Sequence, residues 1–319
     1  MKLACVGNAL FDIVAFVETD FASRFGFHGG STTHAERSAL APILAALPGA
    51  SRGAGGGATN TARVFSSLGF PSSFAGVIGK DEVGDQFKAD LKAAGVESFL
   101  QEKGESTGIF CVLITPEGER TIVVAPGAAS QLDAGAIPDA FFSSDATLYI
   151  DGFLAANPDT VQALVSRAEA AGMRIALDVA GFRIATKHRG FFLRLIRESC
   201  SWTFMNEDEF IALAEAGVDE ALQKFSAAAP GIVVVKRAET GAVCVSDGSV
   251  LESAVRPIRA TDTTGAGDSF AAGFLSAAFA GAPLARCLRL GNRVAEQAIQ
   301  VPGMSLDGAR LRRAASTVL

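Results

Sequence analysis

The sequence lacks an excess of positive charge, a long apolar run and any close pair of cysteines. Its 319 residues include 28 Lys and Arg against 34 Asp and Glu, which gives a formal net charge of −6. A protein with this charge and no basic stripe is not expected to bind nucleic acid or an anionic membrane. No run approaches the roughly 18 uninterrupted apolar residues of a membrane span, so none is expected to cross a bilayer.

Cysteine and histidine are too few and too scattered for a disulfide framework or a metal centre. The five cysteines include no C-x-x-C pair, which is typical of reduced thiols in the cytoplasm. The first residues have too short an apolar stretch for a signal peptide and are expected to form a strand. The three histidines, His28, His34 and His188, form no metal-ligand set and are expected at the surface. We therefore expect a cytoplasmic protein.

Strand-like and helix-like segments alternate along most of the chain. Examples are the buried strand predicted at Thr147–Asp151 and the helix predicted at Pro158–Ala171. This alternation predicts an α/β fold with a mostly parallel sheet and helices on both faces. Two excursions interrupt it, at about residues 13–52 and 98–127, and the second contains a predicted hairpin. We assign the whole chain, 1–319, to one domain.

The run D-T-T-G-A-G-D-S-F at residues 262–270 is the strongest chemical signal. Small and apolar residues follow it at helical spacing, so it is predicted to open a helix. Helix starts leave N–H groups unpaired and carry about half a positive charge, so Gly265, Ala266 and Gly267 are predicted to form an anion hole. Asp268 stands beside them as a candidate base for a hydroxyl that attacks a phosphoryl group. The alternative is an ordinary capped helix with glycine in its first turn.

This run closely resembles the C-terminal motif of the ribokinase-like (PfkB) carbohydrate and nucleoside kinases, and resemblance extends from Gly7 to Gly303. It implies a three-layer α/β/α sandwich with a mostly parallel central sheet, and a small β-lid formed by the two excursions. It also implies ATP-dependent transfer of the γ-phosphoryl group to a primary hydroxyl, with Mg²⁺ and, in some members, K⁺. The expected partner is a small sugar or nucleoside, and the expected assembly is a monomer or homodimer.

Four residues in the first part of the chain resemble the family's acceptor site. Gly55 and Gly56 match a glycine pair that lets the backbone approach the substrate, and Asn60 matches a residue that contacts a substrate hydroxyl. Asp12, in a G-N-x-x-x-D run, could accept hydrogen bonds from both hydroxyls of a vicinal diol. Without the resemblance, Asn60 is a helix N-cap and Asp12 a turn residue.

Other matches concern the phosphate donor. Asn206 and Glu209 resemble the N-x-x-E motif that organises Mg²⁺ and phosphate, largely through water; their spacing is also that of a capping box, and both roles can coexist. Lys236 and Gly241 resemble the nucleotide-binding strand and turn, although the family often has Thr at the first position. Lys236 is a candidate to neutralise an ATP phosphate. The alternative is a solvent-facing lysine.

Weaker matches add three kinds of site. Asn292 resembles a position near the adenine ring, and Asp262, Gly303 and Ser305 resemble the K⁺ site of some members. Arg120, on the predicted lid hairpin, either contacts a substrate phosphate or carboxylate or is a solvated arginine.

The acceptor itself is predicted from the G-N-x-x-x-D run, which resembles the adenosine-kinase-like branch and favours a nucleoside. That branch holds the base between aromatic or apolar side chains, and Phe110 and Phe153 are candidates for this role. Each is one of 23 phenylalanines, so a place in the core is the alternative. Ribose, fructose and keto-sugar acids are the other acceptors considered.

Two functions of other classes compete with a kinase. Residues 53–58 match a loose G-x-G-x-x-A fingerprint of nicotinamide-dependent oxidoreductases, but residues 47–52 are not expected to form the strand that this motif requires. The other is a catalytically silent nucleotide- or sugar-binding module, which would have no use for Asp268.

Overall fold

The computed structural model describes residues 1–318, apart from the side chain of Ala228. Its strands, in chain order, are β1 (Lys2–Val6), β2 (Leu10–Phe16), β3 (Thr32–His34), β4 (Ser51–Gly55), β5 (Ser72–Gly79), β6 (Glu97–Lys103), β7 (Gly108–Ile114), β8 (Arg120–Ala125), β9 (Ala146–Asp151), β10 (Arg174–Asp178), β11 (Trp202–Asn206), β12 (Ile232–Lys236), β13 (Ala242–Ser246) and β14 (Ser249–Ser253). Its α-helices are α1 (Arg37–Ala45), α2 (Gly57–Ser67), α3 (Glu82–Ala93), α4 (Pro158–Ala170), α5 (Phe182–Lys187), α6 (Arg189–Glu198), α7 (Glu207–Ala214), α8 (Val218–Ala228), α9 (Ala266–Phe279), α10 (Leu284–Ala298) and α11 (Gly308–Ser316).

Nine strands form a large sheet in the order β14-β13-β12-β11-β10-β9-β1-β5-β6. The strands from β12 to β6 pair in parallel, whereas β12, β13 and β14 pair antiparallel at one edge. Successive side chains of β1 alternate between two cores: Leu3 and Cys5 join one core, and Ala4 and Val6 join the other. Residues of α2, α9 and α10 fill the first core, and residues of α4, α6 and α7 fill the second. The predicted three-layer α/β/α sandwich is confirmed.

Five further strands form a second sheet, the lid sheet, in the order β3-β8-β7-β2-β4. On one face, Ile13 and Leu113 share a core with Leu40 and Ile43 of α1. The opposite face carries side chains that line a cavity at the end of the large sheet. The lid is therefore covered on its outer side by the chain's own helix and is open towards the cavity.

The lid sheet departs from the predicted bounds of the two excursions. Residues 98–103 belong to β6, which pairs in parallel with β5 at the edge of the large sheet. The strand β4 was not expected, because serine and glycine have little β propensity; antiparallel pairing with β2 forms it nevertheless. Since β4 and β5 lie in different sheets, the segment between them is not the βαβ unit of a dinucleotide-binding motif.

The helix that carries the 262–270 motif is buried along most of its length. Small residues allow close contact with α10: a Cβ added at Gly273 would lie 2.8 Å from the carbonyl oxygen of Leu290. This packing fixes the start of α9 relative to the sheet. Across residues 1–318, no helix combines the length and apolarity needed to cross a bilayer.

Candidate active site

A cavity of about 960 Å³ lies between the lid sheet and the carboxyl ends of the parallel strands. In open α/β sheets this is the edge at which ligands bind. Most of the predicted site residues line it: Asp12, Gly56, Asn60, Phe110, Arg120, Phe153, Asn206, Glu209, Lys236, Gly265, Gly267 and Asp268. Segments that are far apart in the sequence therefore meet around one space.

The turn that precedes α9 requires glycine and exposes two amides. Gly265 has a φ of 71°, and a Cβ there would lie 2.0 Å from the sulfur of Met304. The amide of Ala266 donates to the carbonyl oxygen of Thr263 at 3.3 Å. The amides of Gly265 and Gly267 have no acceptor within residues 1–318. Of the three amides predicted to form the anion hole, that of Ala266 already donates a hydrogen bond within the protein. The prediction is therefore restricted to the amides of Gly265 and Gly267.

Asp268 lies in the first turn of α9 and accepts a hydrogen bond from α2. Asn60 donates from Nδ2 to its Oδ2 at 3.0 Å, while the Oδ1 of Asn60 is buried with no partner among the described residues. Burial raises the pKa of Asp268 to about 7; the charge of Asp178 adds to the rise, and the hydrogen bond from Asn60 opposes it. A carboxylate that titrates near neutrality is suited to accept a proton at physiological pH.

Two acidic residues of the site were not singled out from the sequence. Asp151 ends β9 and Asp178 ends β10, and both line the cavity. Asp151 accepts from the amide of Phe153 at 2.9 Å, and burial raises its pKa to about 6. Their position at the last residue of buried parallel strands is the signal that could have found them.

Lys236 is a largely buried cation that pairs with Asp178. Its Nζ lies 2.7 Å from Oδ2 of Asp178, and its side chain is only 16% exposed, so it is not solvent-facing. The same Nζ lies 3.1 Å from where a Cβ on Gly267 would stand. Burial lowers the pKa of Lys236, but the charges of Asp178 and Glu209 outweigh this and raise it overall. A fixed positive charge therefore lies beside the predicted anion hole.

Asp12 reaches the cavity from the lid strand β2. Gly55, although it is off the cavity wall, makes room for it, because a Cβ there would lie 2.0 Å from its carboxyl carbon. Gly56 has a φ of 89° and could not carry a Cβ, which would lie 2.2 Å from the carbonyl oxygen of Asn8. The Oδ1 of Asp12 is buried and has no partner among the described residues. Burial and then the charge of Asp268 raise the pKa of Asp12 to about 8.

Asn206 and Glu209 form the capping box of α7. The amide of Asn206 donates to Oε2 of Glu209 at 2.9 Å, its Nδ2 donates to Oε1 at 2.9 Å, and the amide of Glu209 donates to Asn206 Oδ1 at 2.8 Å. Both carboxylate oxygens are thus already bonded. No cluster of three or more His, Cys, Asp or Glu within residues 1–318 is arranged to hold a metal ion directly. The pair therefore suits contact with a hydrated Mg²⁺ through water.

The lid contributes a cation and an aromatic ring. Arg120 donates to the hydroxyls of Thr263 and Thr264, each at 2.7 Å, which bonds the hairpin to the turn before α9. Arg120 is therefore not a solvated surface arginine. Phe110 is half-buried and Phe153 is 49% exposed, and both line the cavity. Neither ring is buried in the core, although Phe110 packs against a small buried cluster of the lid sheet.

The remaining predicted residues lie off the cavity wall. Asn292 is bonded elsewhere: its Nδ2 donates to the carbonyl oxygen of Ser253 at 2.9 Å. Asp262 is buried and accepts from the amide of Gly303 at 2.8 Å, whereas Ser305 is exposed. Gly241 has a φ of 102° in the turn between β12 and β13. The structure does not place these residues, or Gly303, on the cavity wall, and their roles toward the nucleotide and K⁺ stay predictions.

The chain is similar to known proteins in both sequence and structure. A profile described as "pfkB family carbohydrate kinase" matches residues 2–309. An adenosine kinase of Schizophyllum commune is 28% identical over 95% of this chain and 96% of its own. Among solved structures, an adenosine kinase of Sinorhizobium meliloti has a TM-score of 0.88 at 28% identity, covering 100% of this chain and 99% of its own. A probable sugar kinase of Rhizobium etli has a TM-score of 0.89 at 28% identity, covering 99% of this chain and 97% of its own.

Proposed function

Since the chain belongs to the pfkB family of carbohydrate kinases and is a sugar or nucleoside kinase, we propose that it transfers the γ-phosphoryl group of ATP to a primary hydroxyl of a nucleoside. One observation carries the proposal. The carboxylate of Asp268 and the unbonded amides of Gly265 and Gly267 line the same cavity as Asp12 and Asn60. A candidate base, two donors for an anion and a carboxylate for a diol thus line one cavity.

Asp268 is assigned the role of base. The acceptor hydroxyl would bond to its Oδ1 side while Asn60 holds Oδ2, so that the proton passes to the carboxylate as the new P–O bond forms. With a pKa of about 7, Asp268 is largely ionised at pH 8 and largely protonated at pH 6. General-base catalysis of this kind contributes on the order of 10²–10⁴-fold to the rate.

The phosphoryl group is assigned to the end of the cavity at α9. The amides of Gly265 and Gly267, at the positive end of the helix dipole, would stabilise its charge. Lys236 lies beside Gly267 of this turn and Arg120 donates to its Thr263 and Thr264, and each could exchange a present partner for a phosphate oxygen. Charge-assisted hydrogen bonds of these side chains to phosphate are about twice as strong as neutral ones.

Mg²⁺ is assigned to the neighbourhood of Asn206 and Glu209, held through water because their own oxygens are bonded to each other's amides. Burial raises the pKa of Glu209 to about 7, and a nearby cation would favour its ionised form. When bound, Mg²⁺ would neutralise part of the charge of the donor phosphates.

A nucleoside suits the cavity better than a free sugar. Next to the Asp12 carboxylate, its wall continues over apolar side chains, namely Leu10, Phe110, Ile122, Val124, Pro126 and Phe153. A monosaccharide would leave this surface uncovered, whereas an aromatic base would bury it. Stacking on phenylalanine adds about 0.5–1.5 kcal/mol beyond the buried area.

A phosphorylation screen tests the proposal. The purified protein is incubated with Mg²⁺ and ATP, with and without K⁺, and with nucleosides and monosaccharides in parallel. We expect a nucleoside 5′-phosphate and ADP in equal amounts. Binding of ATP and a nucleoside without any product would identify a catalytically silent module instead. Turnover of monosaccharides alone would keep the kinase and refute the nucleoside.

A further inference from the structure

One transverse row of the lid sheet runs from the proposed diol site on β2 to β3, the edge strand of that sheet. Asp12 of β2 is paired with Phe110 of β7, Phe110 with Val124 of β8, and Val124 with His34 of β3. All four side chains line the cavity. The row therefore orders the contacts that an acceptor would make, beginning at its diol.

The spacing of strands turns this row into a measure of length. Neighbouring strands lie about 4.8 Å apart, so three steps separate Asp12 from His34 by about 14 Å. With covalent bonds of about 1.3–1.5 Å, a monosaccharide ring is roughly one strand spacing across and a purine nucleoside roughly two. A purine nucleoside therefore leaves about one strand spacing, roughly 5 Å, for the side chains of Asp12 and His34 that would contact its two ends. A free sugar bound at Asp12 would fall short of His34.

His34 is also free to bond a ligand. Its side chain is exposed and has no hydrogen-bond partner among the described residues. A neutral imidazole presents one donor and one acceptor, which matches the polar edge of a nucleobase. Thr32 lies two residues earlier on β3 and lines the same cavity, while Thr33 between them is paired with the core residue Val123. The strand thus directs alternate side chains towards the cavity.

We propose that His34 determines specificity by bonding the outer edge of the nucleobase, while Asp12 holds the ribose and the rings of Phe110 and Phe153 flank the base. This inference rests on the proposed nucleoside kinase activity. It assigns a binding role to β3, a strand that the sequence analysis does not predict. It also explains why a histidine occupies this position of the lid, beside the apolar Val124.

The test compares His34→Ala, His34→Gln and the control Thr33→Ala with the unaltered protein. Losing one neutral hydrogen bond is expected to raise the KM for a purine nucleoside about 3- to 10-fold. The kcat and the KM for ATP should stay within about 2-fold, because His34 is remote from the phosphoryl group. His34→Gln keeps a donor and an acceptor and should recover much of the affinity. Thr33→Ala should behave like the unaltered protein.

The results separate failure of this inference from failure of the proposed function. An unchanged nucleoside KM in His34→Ala, with normal turnover of nucleosides, would overturn the role of His34 and leave the kinase activity intact. An equal rise in the KM for ATP would also overturn it, since the effect would then not be confined to the base. If the unaltered protein phosphorylates monosaccharides and no nucleoside, the row has no base to contact and the inference fails. If it phosphorylates neither, the proposed function fails first.

Discussion

Replacing Asp268 by Asn is expected to abolish turnover without destabilising the fold. The substitution keeps the shape of the side chain, and its amide oxygen can still accept the hydrogen bond from Asn60. It removes the carboxylate that is proposed to take the proton. Loss of a general base lowers kcat by about 10²–10⁴-fold. The KM values should change little, because neither the diol site at Asp12 nor the anion hole is altered.

The stability of this variant follows from the pKa of Asp268. Because the folded carboxyl titrates at about 7 rather than 3.8, the folded protein retains a proton that the unfolded chain loses between those values. The contribution of Asp268 to the free energy of unfolding therefore falls as the pH rises through that range. At pH 8 its buried, ionised carboxylate destabilises the folded protein. At about 1.4 kcal/mol per tenfold change, this corresponds to an upper limit of about 4 kcal/mol. Asn carries no such charge, so Asp268→Asn should be at least as stable as the unaltered protein at pH 8.

Two assays on the same sample check both halves of this prediction. A coupled ADP-release assay at pH 8 measures kcat, and thermal unfolding at pH 6 and pH 8 measures Tm. We expect a loss of turnover together with a Tm at pH 8 that is equal or higher, by about 2–4 °C for each kcal/mol of stability gained. Near-normal turnover would refute the role of Asp268 as base. A large fall in Tm would show that the carboxylate stabilises the fold and would refute the electrostatic reasoning.

Four other results are expected. For the unaltered protein, kcat/KM should begin to fall below about pH 8, where Asp12 becomes protonated, and should fall by more than about tenfold per pH unit below pH 7, where Asp268 is protonated as well; a flat profile down to pH 5 would contradict this. Lys236→Met removes a charge that lowers the pKa of Asp268, so the acidic limb should move to higher pH and the KM for ATP should rise in steady-state assays. Gly55→Ala places a Cβ 2.0 Å from the carboxyl carbon of Asp12 and should raise the acceptor KM at least about 10-fold, with an unchanged circular dichroism spectrum. Arg120→Ala should lower kcat/KM for ATP about 10- to 100-fold; an unchanged value would restrict Arg120 to its bonds within the protein.

The sequence predicts the parts of this site that depend on short local patterns. The turn at Gly265 and the proposed base Asp268 lie within a few residues of one another, so the start of a helix alone predicts an anion site beside a carboxylate. The three-layer sandwich follows from the alternation of strands and helices, because β-branched runs between glycine-rich turns indicate strands. The strand predicted at Thr147–Asp151 and the helix predicted at Pro158–Ala171 agree with β9 and α4 to within one residue at each end.

The parts that depend on tertiary pairing could not be predicted. Asp178 is polar at the end of one strand, and only the parallel register with β11 and β12 brings it to Lys236. The strand β4 has weak β propensity and forms because β2 pairs with it. Likewise, His34 is placed in the cavity wall by its pairing with Val124, which no local pattern around it indicates.

The central claim is that this cavity joins a phosphoryl group to an acceptor hydroxyl, and the fate of the γ-phosphorus tests it most directly. The protein would be incubated with a nucleoside and with ATP that carries ¹⁸O on all non-bridging γ-oxygens, and the products analysed by mass spectrometry. We predict a nucleoside 5′-phosphate that contains all of the label, with its ester oxygen unlabelled because that oxygen comes from the acceptor. Label found only in inorganic phosphate, or no labelled ester from any nucleoside or sugar, would contradict the account.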